Sequence, residues 1–430
     1  MKTMTTVIIC MLFLASSPVH ARTDSTATTK SVFPQKRHPE TVYERLLGLP
    51  GDMMSAPFWL IEQCMTPAYY LVVEKKTMAK IKDYLTSDDG LRGIFPTYEA
   101  KSGGGLNFYQ KNLFSKDSRL DLTATVGLHN RQFYELNLAH IRLSGPATAS
   151  FNASYRFLSD EPFYGIGNNS DKNNELSYAH EVASTAISFD YQKGTTFVAQ
   201  LKTGIEQNNI LESRRHEITS LTDIPLSEIP NVYGISSEVK LLNIGLNITW
   251  DTRNSAGKPT TGWLCTLHPR IYQQITDPDY RFWQISADFT KYINLFYNRT
   301  LVIRSAFQMS DPMDNRAIPF YHLSELGTRS TIRGFQRGRF RDEDMILGAI
   351  EYNYPIFNRL ERRRGRESMD VVLFLDAGQV GRQIFDELNQ NQLHVGYGAG
   401  IRLYNLSASI MQFLIGKSDD GYRIYFVLNK

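Results

Sequence analysis

Three features are scarce in this sequence, and each scarcity excludes a class of protein. Only three cysteines occur in 430 residues, without the spacing of a disulfide framework or a zinc site. After the first residues no apolar run reaches about 20 residues, which excludes a helical membrane protein. The net charge of +3 is too small to indicate nucleic acid as a partner, and the basic run at 362–364 is typical of a solvated turn.

Signatures of catalysis are also missing. There is no nucleophile elbow, no HExxH helix and no paired-cysteine site, and the nine histidines are scattered along the chain. A dinucleotide-binding loop has a glycine spacing similar to that of Gly396, Gly398 and Gly400. No strand-turn-helix context surrounds these glycines, however, and a stripe of small residues in a strand explains them better. We therefore predict no enzymatic activity, no cofactor and no metal.

The first residues have the layout of a secretory signal peptide. Lys2 precedes an apolar run at residues 7–15, and small residues follow at 19–21, which predicts a signal peptide over 1–21 and a mature chain from Arg22. Cys10 is removed with this segment, which leaves Cys64 and Cys265. The sequence is compatible with one disulfide between them or with two free thiols.

From residue 92 onward, apolar and polar residues alternate with the period of β-strands. At residues 119–128, Leu120, Leu122 and Val126 share one face, and Asp121 and Thr123 share the other. The mean hydropathy of −0.31 hides this arrangement, because a membrane barrel carries its apolar residues on alternate positions. A secreted β-sandwich also alternates, but these segments are longer and more numerous, and aromatic residues occur near their ends.

The segments predict an all-β fold, a 16-stranded antiparallel transmembrane β-barrel over residues 92–430. An even number of strands places both termini in the periplasm, and the long connections 158–175, 209–234 and 310–344 on the outside. The predicted strands are 92–101, 104–112, 119–128, 131–143, 147–157, 176–191, 194–208, 235–251, 261–274, 281–293, 299–309, 345–356, 369–379, 394–404, 407–416 and 421–429.

Residues 22–91 form a different segment. Their opening is rich in Thr, Ser and Lys and predicts a flexible periplasmic tether. Short helical patterns near 40–48 and 74–85 flank an apolar stretch at 53–73, which charged and proline residues interrupt. This stretch fits an amphipathic segment on the inner leaflet or at the barrel mouth, and packing against the barrel is the simpler alternative.

Six ordered motifs resemble the BamA-type superfamily of outer-membrane assembly and translocation barrels, also called bacterial surface antigens. Together the motifs cover about four fifths of the chain, and they stand in the order that the family has. They are FYGIGN at 163–168, DTRNSAGKPTTG at 251–262, TIRGFQRGRFRDED at 331–344, MILGAIEYNYPI at 345–356, VVLFLDAGQV at 371–380 and GYGAGIRLY at 396–404.

The resemblance implies a sixth external loop that folds back into the lumen. Arg333 at its tip would pair with Asp376, because a guanidinium inside a narrow barrel needs a carboxylate. Gly334 would allow the chain to reverse, and Gly378 would leave space beside the loop. The residues expected to hold the loop are Ile332, Arg333, Gly334, Phe335, Asp376 and Gly378.

Two further points concern the turn at 251–262 and the prefix. Asp251, Arg253 and Gly262 match the family's periplasmic turn, where local pairing that shapes the turn is the simplest role.

The mature prefix is too short for a polypeptide-transport-associated domain, so we predict none. Periplasmic accessory proteins are then candidate partners that would replace such domains, besides the lipid bilayer of a Gram-negative-type outer membrane and unfolded polypeptide clients.

The family's mechanism implies a lateral seam between the first and last strands, where an opened edge templates a client strand. Pro96 cannot donate to a strand ladder, and glycines weaken one, so we expect few hydrogen bonds here. The seam residues predicted are Pro96, Gly103, Gly104, Gly105 and Phe426, the last as a terminal aromatic signal. Three roles stay open: an insertase, a pore dedicated to one secreted partner, and a passive channel or structural subunit.

Overall fold

The computed structural model describes residues 84–99, 101–225, 227–229, 231–235, 238–276, 279–296, 299–314, 316–358, 368–404 and 409–428. The predicted signal peptide, the tether, the helical pattern at 40–48, the apolar stretch at 53–73 and Cys64 lie outside these residues. Only 84–91 of the predicted N-terminal segment is described, so the boundaries of that segment stay predictions. Within the described part of the chain, no helix is long and apolar enough to cross a membrane.

Sixteen strands form one antiparallel sheet in which sequence neighbours pair, from β1 at one edge to β18 at the other. The strands before loop 6 are β1 Arg92–Glu99, β2 Gly103–Lys111, β3 Arg119–Val126, β4 Gln132–Ser144, β5 Ala147–Phe163, β6 Leu176–Lys193, β7 Phe197–Leu211, β8 Val239–Asp251, β9 Gly262–Gln274, β10 Arg281–Phe296 and β11 Arg299–Pro312. Those after it are β14 Asp344–Asn358, β15 Ser368–Gly381, β16 His394–Tyr404, β17 Ser409–Ser418 and β18 Gly421–Leu428.

Loop 6, residues 313–343, joins β11 to β14 and contains a small sheet of its own. Its two strands are β12 Ser324–Leu326 and β13 Phe340–Asp342, and short helical turns include Phe320–His322. The sequence predicted a loop at 310–344 without strands, because three residues are too few to show a period of two. β12 and β13 correct that expectation.

The sixteen predicted barrel strands are all present in the sheet, with shifted ends. β5 continues to Phe163, although its predicted end is residue 157, because the register shifts between Leu158 and Glu161 and breaks the alternation there. β8 begins at Val239 and not at residue 235. Strand ends are the least predictable part of an element, since turns and bulges interrupt the pattern that marks its middle.

The alternation sorts the side chains of each strand between two faces of the sheet. Leu122 and Val126 are 39% and 52% exposed on the outer face, and Asp121 lies on the inner face, where it binds Arg119 at 2.7 Å. Large exposed apolar residues recur on the outer face of almost every strand, including Ile244 and Leu246 of β8. Such a continuous apolar surface matches a lipid environment rather than water.

Contacts between residues from parts of the chain that are distant in the sheet order show that the sheet curls around its inner face. His394 of β16 lies 2.9 Å from the carbonyl oxygen of Asn168, which follows β5. Short turns such as 194–196 cluster at one end of the strands, and the long connections 164–175, 212–238 and loop 6 at the other. We call these the short-turn end and the long-loop end.

Candidate functional site

The tip of loop 6 is buried on the inner face of the sheet. Ile332 is fully buried and Phe335 is 2% exposed, and both pack with Leu326, Phe340 and Leu347 in one apolar cluster. Burying a side chain of this size stabilises a fold by about 1.5–3 kcal/mol. The loop is therefore held by its own apolar residues before any charge is considered.

Arg333, one residue beyond Ile332, makes a two-pronged ion pair with Asp376 of β15. Its Nε donates to Asp376 Oδ2 at 2.7 Å, and its Nη2 donates to Oδ1 at 2.6 Å. The backbone N–H of Arg333 donates to the same Oδ2 at 3.0 Å. Asp376 is 0% exposed and Arg333 is 5% exposed, so this fork-shaped pair forms away from water.

Two residues that the sequence analysis did not select complete this site. Arg333 Nη1 also donates to Glu351 of β14, whose Oε2 accepts from both Nη atoms of Arg402 on β16, each at 3.3 Å. The Arg333 guanidinium lies 3.7 Å from the centre of the Phe374 ring. We call Arg333, Glu351, Asp376 and Arg402 the loop-6 charge cluster; its two positive and two negative groups compensate one another, as buried charges require.

The alternation of the strands could have identified Glu351 and Arg402 as inward-facing charged residues. Glu351 occupies an inner-face position of β14, two residues from buried Asn353, and Arg402 directly faces Asp370 in the register of β15 and β16. A charged residue at an inward position near the middle of a barrel strand indicates a partner across the lumen. The pattern does not say which partner, since that depends on how the sheet curls.

Two glycines give the loop tip its space. Gly334 has φ +103, and a Cβ there would lie 2.7 Å from the carbonyl carbon of Lys417 in β17. At Gly378 a Cβ would lie 2.6 Å from the Ile346 carbonyl oxygen and 3.1 Å from Ile332 Cδ1. Gly334 at the loop tip thus lies close to β17, and Gly378 of β15 lies close to Ile332 of the loop. A side chain at either position would clash, so only glycine fits.

Two further arginines tie loop 6 to the surrounding strands, and a third forms an ion pair within the loop. Arg337 Nη1 donates to Glu161 of β5 at 2.7 Å, and Arg339 Nε donates to Asp420, between β17 and β18, at 2.8 Å. Arg341 Nη2 donates to Glu325 of β12 at 2.8 Å. Burial alone raises the pKa of the Glu325 carboxyl, but the charges of Arg341 and Arg337 outweigh it and leave this pKa below its usual value.

The turn between β8 and β9, residues 252–261, is shaped locally by the predicted pair. Arg253 Nε and Nη2 donate to the Asp251 carboxylate at 2.9 and 2.7 Å, and the Arg253 N–H donates to its Oδ1 at 3.0 Å. Gly262 closes the turn with φ +103, where a Cβ would lie 2.3 Å from the Thr252 carbonyl oxygen. These contacts fix the local conformation of the turn.

The predicted seam residues do not all lie at a sheet edge. Pro96 lies in edge strand β1 and Phe426, 61% exposed, in edge strand β18. Gly103, Gly104 and Gly105 belong to β2, where they pair with residues 97–99 of β1. A Cβ at Gly105 would lie 1.8 Å from the Ala124 carbonyl oxygen, so this glycine accommodates β3. In the described residues β1 and β18 do not pair with each other.

A single curled sheet with an apolar outer face and a buried, arginine-anchored loop defines an outer-membrane β-barrel. The model of the Omp85 superfamily domain matches residues 103–427. The chain belongs to the Omp85 superfamily, which confirms the resemblance drawn from the motifs, and members of this superfamily are integral barrels of the outer membrane.

The same fold occurs in a solved structure of low sequence identity. BamA from Haemophilus ducreyi lacking POTRA domains 1–3 is 14% identical, with a TM-score of 0.54 over 77% of this chain and 67% of that chain. CdiB from Escherichia coli is 15% identical, with a TM-score of 0.49 over 77% of this chain and 61% of that chain. This chain therefore spans less than two thirds of that CdiB structure.

Proposed function

We propose that this protein assists the insertion or translocation of other polypeptides through a lateral seam between β1 and β18. The observation that carries the proposal is the sheet order, in which these strands form the two edges and do not pair within the described residues. An unpaired strand edge presents free N–H and C=O groups that can template a strand of a client. The process needs no covalent step, in agreement with a role that is not enzymatic.

The lengths of the edge strands support the same role. β1 and β18 have 8 residues each, whereas β5 and β6 have 17 and 18. Short edge strands hold few ladder hydrogen bonds, and Pro96 removes one donor from β1. The long-loop end would face outward and both termini would face the periplasm.

The packing at the long-loop end favours a lateral route over a route along the lumen. Leu221 of the connection 212–238 and Phe320 of loop 6 pack with Phe163 at the end of β5, and all three are at most 1% exposed in one apolar cluster. A polypeptide that left through this end would have to separate these loops, with the loss of their buried area. A dedicated secretion pore needs that separation, whereas lateral insertion does not.

A disulfide across the seam tests the proposal. In a Cys64→Ser, Cys265→Ser background, the pairs Ile94→Cys with Phe426→Cys and Tyr98→Cys with Tyr422→Cys join outer-face residues of β1 and β18. A matched control joins Lys417→Cys and Tyr422→Cys, which already face each other in β17 and β18. The seam disulfide should abolish function until it is reduced, and the control disulfide should not.

Function is read by quantitative proteomics of the outer membrane. Broad loss of barrel proteins in the locked strain identifies a general insertion component, and loss of one or two surface proteins identifies a translocator with a dedicated partner. An unchanged proteome in both the locked and the depleted strain overturns the proposal and leaves a passive channel or structural subunit. Co-purification after crosslinking would identify periplasmic accessory proteins.

A further inference from the structure

The turn between β8 and β9 reaches across the short-turn end of the lumen to β15. Lys258 Nζ donates to Asp370 Oδ1 at 2.6 Å and to Ser368 Oγ at 3.1 Å, and lies 5.2 Å from the centre of the Tyr404 ring. The side chains of Lys258 and Asp370 are 12% and 2% exposed. The turn is thus docked by a buried ion pair onto strands that are not its neighbours in the sheet.

This ion pair adjoins the loop-6 charge cluster. Asp370 faces Arg402 directly in the register of β15 and β16, and Arg402 holds Glu351, which in turn holds Arg333 of loop 6. Side chains that face each other across two strands lie close enough to interact. Positive and negative groups therefore alternate along the inner wall in the order Lys258, Asp370, Arg402, Glu351, Arg333 and Asp376.

The register gives Arg402 two candidate carboxylates. With Lys258 in place, Asp370 is compensated by the lysine, and Arg402 binds Glu351 with both Nη atoms. Without Lys258, Asp370 is left as a buried carboxylate without its cation, a costly state that attracts the nearest guanidinium. That guanidinium is Arg402, and its transfer toward Asp370 would leave Glu351 with Arg333 alone.

We propose that Lys258 and Asp370 are positioning residues for loop 6, which transmit the state of the β8–β9 turn at the short-turn end to Arg333 at the loop tip. A turn docked through Lys258 keeps Arg402 on Glu351 and loop 6 anchored. A turn drawn away from β15 releases Asp370, which competes for Arg402 and loosens the loop. The inference rests on the proposed function of a barrel that opens at its seam.

Hydrogen exchange of the full-length protein in detergent tests this coupling, with the segment 328–338 as the readout. Lys258→Met should speed exchange there by about five- to tenfold, the range of a modest coupling between sites. Lys258→Arg, which keeps the charge, should retain the protection. The matched control is Lys202→Met, which removes a different lysine, from strand β7.

Two more variants separate competition by Asp370 from a general loss of packing. Asp370→Asn removes the competing carboxylate and should leave loop 6 protected. Adding it to Lys258→Met should restore protection, because Arg402 then has only Glu351 to bind. Should Lys258→Met not fold, as judged by heat-modifiable migration in gels, Lys258→Gln carries the same test.

Either of two results overturns the inference. One is faster exchange confined to residues 252–261 in Lys258→Met, which would make the turn a local cap. The other is equal loosening of loop 6 in Lys258→Met and in the double variant, which would assign the effect to lost packing. Neither result bears on the seam, because loop protection is measured without a client, and a failed seam disulfide likewise leaves this coupling intact.

Discussion

The lack of a side chain at Gly396 of β16 makes room for the carbonyl oxygen of Arg333, because a Cβ at Gly396 would lie 1.8 Å from that oxygen. The clash would involve backbone atoms of the loop tip, which cannot move aside like the end of a flexible side chain. Gly348 of β14 is the natural comparison, since a Cβ there would meet nothing within 4 Å. A glycine in one of these strands is therefore required, and a glycine in the other is not.

Gly396→Ala should consequently destabilise the anchored loop, with a cost of about 1–3 kcal/mol for overpacking. The measurement is the midpoint of thermal unfolding in detergent, together with hydrogen exchange of residues 328–338. Gly348→Ala should behave like the unaltered protein in both. Equal effects of the two substitutions would contradict the importance of this close approach.

Arg333→Met should destabilise the protein by about 3–5 kcal/mol, because it leaves the buried carboxylates of Asp376 and Glu351 without their shared cation. Arg329→Met is the matched control, since Arg329 is an exposed arginine of the same loop. Unfolding of the purified barrel by guanidinium chloride gives both values. A loss below about 1 kcal/mol for Arg333→Met would show that the apolar cluster alone anchors the loop.

Arg339 and Asp420 should couple loop 6 to the hairpin of β17 and β18. Each side chain is 7% exposed, so a double-mutant cycle with Arg339→Met and Asp420→Asn should give a coupling of about 2 kcal/mol. The exposed pair of Arg281 and Asp314 should give less than about 1 kcal/mol. Similar values for both pairs would argue against a specific link between the loop and the last strands.

The base of loop 6 should become less stable as the pH rises toward neutral. Burial raises the pKa of the Glu343 carboxyl to about 6; Arg382 opposes part of the rise, and the charges of Asp342 and Asp344 add to it. Because the pKa in the folded state lies above its usual value of 4.5, the contribution to stability is fully present below 4.5 and is lost as the pH rises through about 6.

The expected size of this pH effect is on the order of 1–2 kcal/mol between pH 4.5 and 7. Unfolding measured at both pH values should show it, and Glu343→Gln should make the difference smaller by about this amount. Glu217→Gln, at an exposed loop position, should leave the difference unchanged. A difference between the two pH values that is as large in Glu343→Gln as in the unaltered protein would contradict a contribution of Glu343.

Much of the fold could be predicted because the lipid-facing and lumen-facing residues of a barrel strand alternate along the sequence. Leu120, Asp121 and Leu122 already separate the lipid face from the lumen, and each such segment repeats the same test. The contact between Arg333 and Asp376 could be expected from the family resemblance and from the need of a buried guanidinium for a carboxylate. The place of Gly103 to Gly105 in the sheet was harder to predict. Glycine has no side chain that would indicate which neighbouring strand it pairs with.

By itself the sequence determined the strands, the face on which each side chain lies, and the connections long enough to fold inward, since all three follow from local periodicity and length. Only the tertiary structure decided which charges meet. Lys258 and Asp370 are 112 positions apart, and their contact depends on how far the sheet curls and where the β8–β9 turn crosses the short-turn end. Curvature is a property of the whole sheet, so no local pattern specifies that pair, or the position of Arg402 between Asp370 and Glu351.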